Sequence, residues 1–104
     1  MKIAIACDEK NLDSTISKLG GRSPFYQIFD NGEFVETVKN PFATGAGGAG
    51  YSVAYMMADM GIDLIVAGKI GENMASALQE RGIKWEEIDE NMKISELVKK
   101  FSEN

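Results

Sequence analysis

The 104-residue chain has no histidine and one cysteine, Cys7. Without histidine there is no Ser–His–Asp or Cys–His pair to activate a nucleophile, and no imidazole to hold a metal. One thiol cannot close an intramolecular disulfide, form a CxxC redox pair or supply the four thiolates of an iron–sulfur site. No apolar run nears the roughly 20 residues that cross a bilayer. No Lys/Arg cluster exceeds the pair Lys99–Lys100 and the net charge is −5, which argues against a nucleic-acid surface. The opening MKIAIACDE meets Asp8 and Glu9 too early for a secretion signal. The expected location is therefore the cytoplasm, with no membrane and no nucleic acid as partner.

What is present describes an ordinary globular chain, with 44% apolar and 26% charged residues. That length supports one domain over residues 1–104, with one core. Lys2–Cys7 is apolar and β-branched without polar alternation, as in a central strand covered on both faces. Phe25–Phe29 reads as a second strand, and Asp30-Asn31-Gly32 turns it into Glu33–Lys39, a period-two strand expected at an edge. A helix is expected over Tyr51–Met60, closed by Gly61, then a buried strand over Asp63–Ala67. A second helix over Glu72–Arg81 stops at Gly82, a short strand covers Ile83–Ile88, and a last helix capped by Asn91 runs to about Phe101. The order β, β, β, α, β, α, β, α gives an α/β protein. A hairpin lies on one side of the first strand and two crossover units lie on the other, making a five-stranded mixed sheet.

The least ordinary stretch is Asn40–Gly50, NPFATGAGGAG. Its glycines suit either a backbone-amide cradle for an anion or cluster at a helix N-terminus, or a turn that packs the following helix closely on the sheet. Gly45–Gly50 contains G-x-G-x-x-G, but it follows a proline loop and the next strand ends without an acidic residue, so a dinucleotide site is not expected. Gly68-Lys69 is not a phosphate loop, since Ile70 stands where a hydroxyl must meet magnesium. Asp8, Glu9, Asp13 and Glu72 raise a carboxylate–metal phosphohydrolase, though their spacing does not make them converge. Cys7 ends the central strand at the edge where open α/β sheets bind ligands. It reads either as a thiolate for a soft metal or as a small buried hydrophobe. Met56, Met57, Met60 and Met74 offer thioethers or core filler. The helix over Tyr51–Met60 is apolar around most of its circumference, which leads to an expected homodimer.

Four stretches taken together, MKIAIACDE, DSTISKLGGRSPFYQIFD, NPFATGAGGAG and GIDLIVAGKIGENMASALQERGI, resemble the dinitrogenase iron–molybdenum cofactor biosynthesis family, the nitrogenase accessory factor-like proteins. The resemblance implies a three-layer α/β/α sandwich with a ribonuclease H-like motif, sheet order 3-2-1-4-5 and strand 2 antiparallel. It implies non-enzymatic binding or carriage of an anionic metal–sulfur cofactor or its precursor, and metallocofactor-assembly proteins as partners. The cargo would be an iron–sulfur or iron–molybdenum–sulfur cluster, non-covalently held. The family's Gly-Arg carries over to Gly21 and Arg22, and its glycine loops to Gly45, Gly47, Gly48, Gly68 and Gly71. The histidine of the His-Phe-Gly-Arg segment found in many members falls on Leu19. Cys7 is then the one side chain left to ligate a metal. The expected site gathers Cys7, Arg22 and both glycine loops around one concavity. A regulatory or interaction module of the same fold that has lost cluster binding is the alternative.

Overall fold

The structure is a computed structural model that describes residues 1–11, 13–44, 48–88 and 92–102. Strand β1 (Lys2–Cys7) lies at the centre of a five-stranded sheet of order β3-β2-β1-β4-β5. Strand β2 (Phe25–Asp30) runs antiparallel to β1, and β3 (Glu33–Lys39) runs antiparallel to β2 at the edge. On the other side β4 (Leu64–Ala67) and β5 (Lys84–Glu87) continue parallel to β1. The order and the antiparallel second strand agree with the expectation.

Alternation along β1 sorts the core into two layers. Ala4 and Ala6 face the layer of α1 (Ala49–Asp59) and α2 (Glu72–Glu80), where Val53, Ala54, Met57, Ala77 and Leu78 pack on them. Their small side chains let both helices come close to the sheet. Ile3, Ile5 and Cys7 face the opposite layer, against Ile94 and Leu97 of α3 (Ile94–Ser102). Strand β4 is buried along its whole length, as a strand covered on both faces must be.

Both residues of the Asn31-Gly32 turn have positive φ, 52° and 85°, the backbone that a two-residue hairpin requires. Pairing in β2–β3 slips between Ile28↔Glu36 and Phe29↔Phe34, leaving Val35 as the extra residue of a bulge. That bulge and the exposed Glu33, Glu36 and Lys39 blunt the edge against further strand pairing.

Helix α1 begins two residues earlier than expected. Gly48, at φ 95°, turns the chain into it, so Ala49 and Gly50 are already helical. The expected cap Asn91 lies outside the described residues. The apolar circumference of α1 is largely used within the chain, since Met56, Ala58 and Met60 pack partly buried beside Phe42. Tyr51 and Tyr55 remain outward, at 42% and 45% exposure, and the expected homodimer would have to rest on them. No helix among the described residues is long and apolar enough to cross a membrane.

Candidate functional site

Beyond the C-terminal ends of β1 and β4, residues 17–20 and 68–69 are joined by backbone hydrogen bonds. The Gly68 amide donates to the Ser17 carbonyl at 2.8 Å, and the Gly20 amide donates to the Lys69 carbonyl at 2.9 Å. A Cβ on Gly68 would lie 2.9 Å from the Lys18 backbone, so glycine there permits the close approach of these segments. Gly50 has the same role between helices, since a Cβ on it would sit 2.9 Å from the Met74 Cβ. Gly21 completes the junction, with its Cβ position 3.4 Å from the Gly50 Cα.

These contacts leave a cleft of about 410 Å³ lined by residues 19–22, 48–50, 69 and 71–74. Both α1 and α2 open on it. Their N-caps are Gly48 and Gly71, and neither helix has a side-chain cap. The first amides of a helix have no intrahelical acceptor, and together they carry about half a positive charge. Two such ends converge here with the Arg22 and Lys69 side chains, and the Glu72 carboxylate opposes them. The donor set consists of N–H groups and cations, suited to an anion. Among the described residues Met74 brings the only sulfur to the lining and is 2% exposed. Among the described residues no group of three or more Cys, Asp or Glu side chains is placed to hold a metal ion.

Of the residues expected from the sequence, Arg22, Gly48 and Gly71 line the cleft. Gly68 lies against Lys18 instead of in the lining. Gly45 and Gly47 lie outside the described residues. The placement of Cys7 in the same concavity is corrected. Strand alternation turns its side chain to the α3 layer, where it is fully buried, while Ala6 faces the layer of α1 and α2. Burial pushes the thiol pKa up to about 12; a hydrogen bond from the Gln27 side chain pulls it down, and the Asp8 charge adds to the rise. Cys7 is thus a neutral thiol at physiological pH, unsuited to ligation. Of the four acidic residues considered, only Glu72 lines the cleft. Met57 is fully buried in the core, while Met56 and Met60 line a separate groove near the far end of α1.

Sequence reasoning weighed Gly68-Lys69 only as a phosphate loop, Glu72 only as a metal carboxylate and Met74 only as a thioether or core filler. It did not place Lys69 or the first turn of α2, residues 72–74, together at the cleft. The signal available was the strand–GKIG–helix transition, which places a lysine and a helix N-terminus beside the edge of the sheet. Leu19, at the family's histidine position, lies at the cleft with 52% of its surface exposed.

No curated protein matches the chain. Among solved structures, the apo form of the orange protein from Desulfovibrio gigas aligns with a TM-score of 0.89 at 27% identity, over 98% of this chain and 87% of that one. TM1290, a Thermotoga protein assigned to NifB and to the DUF35 family, aligns with a TM-score of 0.81 at 26% identity, over 99% and 88% of the two chains. PH0822 shares the fold, with a TM-score of 0.82 at 23% identity over 99% of this chain and 91% of that one. A family model described as dinitrogenase iron-molybdenum cofactor matches residues 1–104, and the chain belongs to that family.

Proposed function

We propose that the protein binds and hands over an anionic metal–sulfur cofactor or its precursor, held in the cleft between α1 and α2. One observation carries this reading: two helix N-termini without side-chain caps open on the same cleft as Arg22 and Lys69. Family membership and the likeness to a protein described in an apo form support it. The donor set fits a cargo whose metals already carry their own sulfide ligands. Such a cluster presents an anionic surface that N–H groups and cations can hold. A bare metal ion would find no thiolate or imidazole in the lining. Binding without a protein–metal bond allows release without ligand exchange, which suits carriage rather than catalysis, beside assembly proteins in the cytoplasm.

The test uses tetrathiomolybdate, a molybdenum–sulfur dianion with all four positions filled, followed by its visible absorption under anaerobic conditions. Wild type should bind it, Arg22→Ala and Lys69→Ala should each weaken binding about tenfold, and the loss should shrink as salt screens the charges. No binding by wild type, either to this anion or after reconstitution with iron, sulfide and molybdate, would refute carriage and leave the interaction-module reading.

A further inference from the structure

The glycine segment begins at Asn40, a side chain that carriage itself does not use and that is only 3% exposed. Its Nδ2 donates to the carbonyls of Gly21, at 3.1 Å, and Ser23, at 2.9 Å. It also lies 3.3 Å from the Tyr26 hydroxyl, which donates to the carbonyl of Gly20. Of residues 20–23, three have their carbonyls held by these two side chains, and the fourth is Arg22, whose side chain lines the cleft. Asn40 also acts on its own segment. Its Oδ1 accepts the Phe42 amide at 2.9 Å, and its backbone amide donates to Pro24 at 3.0 Å. One buried amide side chain therefore ties the Arg22 loop to the chain that runs on towards α1.

We propose that Asn40 and Tyr26 form a buried clasp that couples the Arg22 loop to the start of the glycine segment and so positions Arg22 at the cleft. Tyr26 is fully buried, and burial raises its pKa, with the nearby Cys7 adding to the rise. Its hydroxyl is a permanent donor over the working pH range. Asn40 is suited to the other half because it offers both a donor and an acceptor. Aspartate would keep the acceptor for Phe42 but turn an acceptor towards the Gly21 and Ser23 carbonyls. Buried groups left facing one another in this way are costly, so the two loops would separate.

The coupling is tested without ligand, by amide hydrogen exchange on Tyr26→Phe, which removes one hydroxyl and keeps the ring. Exchange at Gly20 and at Phe42 should quicken together by about tenfold, the order expected for one lost buried hydrogen bond, while Ile65 and Val66 in β4 keep their protection. Asn40→Asp should show the same pair of changes. Faster exchange at Gly20 with Phe42 unchanged in both variants would overturn the clasp. Its effect on Arg22 rests on the anion reading and is measured by a double-mutant cycle with tetrathiomolybdate. Tyr26→Phe should weaken binding about fivefold in wild type and have no further effect in Arg22→Ala, the signature of action through that side chain. An equal loss in both backgrounds marks a merely structural role and overturns the positioning claim. If wild type binds no tetrathiomolybdate, carriage fails, and the exchange result alone decides the clasp.

Discussion

Gly50 of α1 and Met74 of α2 meet so closely that a Cβ added to Gly50 would lie 2.9 Å from the Met74 Cβ and 3.1 Å from its backbone nitrogen. The two helix N-termini can face one cleft because this position has no side chain. Gly50→Ala would gain about 1 kcal/mol of helix propensity. The overlap falls on the Met74 backbone as well as its Cβ, so the helices must separate, at about 1–3 kcal/mol. The clash is the larger effect. Urea denaturation should show net destabilisation, and tetrathiomolybdate affinity should fall with it. Gly61→Ala is the control. Its φ of 73° imposes strain of about 1–2 kcal/mol, but the added methyl meets open space and affinity should stay unchanged. A stable Gly50→Ala protein with normal affinity would show that close helix contact is not needed.

Cys7 ties stability to alkaline pH. Its pKa rises from 9.0 in the free residue to about 12 in the fold, chiefly through burial. The folded state therefore keeps the proton that the unfolded state loses. The contribution is fully present below pH 9 and is lost as pH rises towards 12. Tyr26, also raised by burial, acts in the same direction at higher pH. Urea midpoints of wild type should decline above pH 9. Cys7→Ala, less stable at pH 7 because it leaves a cavity, should decline less over that range. The thiol should also stay unreactive to a disulfide reagent at pH 8 until the protein is unfolded. Prompt labelling of the native protein would show that the thiol is accessible.

How far the sequence was legible depended on what each residue's signal encoded. The unbroken apolar run of β1 and β4, the Asn31-Gly32 turn and the helix-closing Gly61 and Gly82 are local features, and each fixed its element. Arg22 and Gly71 reached the site through the family resemblance, whose Gly-Arg segment and glycine loops fall on them, and the crossover reading of β1 and β4 put those loops at one edge of the sheet. Cys7 was misplaced by a single residue of alternation. A run buried on both faces carries no polar pattern to show which face a given side chain takes. The joint place of Lys69 and the first turn of α2 at the cleft was missed for a different reason. Their role comes from convergence with α1, and that depends on the close contact at Gly50, a tertiary fact with no signature at either segment alone.

Glu72 sits in the first turn of α2 and lines the cleft, where its carboxylate interacts favourably with the helix dipole but repels an anion. The two roles make opposite predictions for one substitution. Glu72→Gln should lower the thermal midpoint slightly, because the dipole loses its counter-charge. The same change should raise tetrathiomolybdate affinity by a few-fold at low salt, with the gain fading as salt increases. A loss of affinity would mean that the carboxylate serves the cargo indirectly, by orienting Arg22 or Lys69.

Leu19 offers the most direct test of whether the cargo is held without a protein–metal bond. Its side chain is at the cleft and 52% exposed, so it contributes little to the core. Replacing an exposed residue of this kind usually changes stability by no more than about 0.5 kcal/mol. Leu19→His would add an imidazole beside Arg22 and Lys69, a ligand type the chain otherwise lacks. On the proposed carriage, charge and N–H groups alone would hold the cargo in wild type, so a salt wash should strip a reconstituted iron–sulfur or iron–molybdenum–sulfur cluster readily. A metal–nitrogen bond resists salt but requires neutral imidazole. The variant should therefore retain the chromophore through a salt wash at pH 8 and lose it at pH 5, where the ring is protonated. Wild type should show no such difference between the two washes. Identical elution of both proteins at both pH values would mean that the bound cluster does not come within reach of position 19, and the cargo would then have to be placed deeper between the helix N-termini.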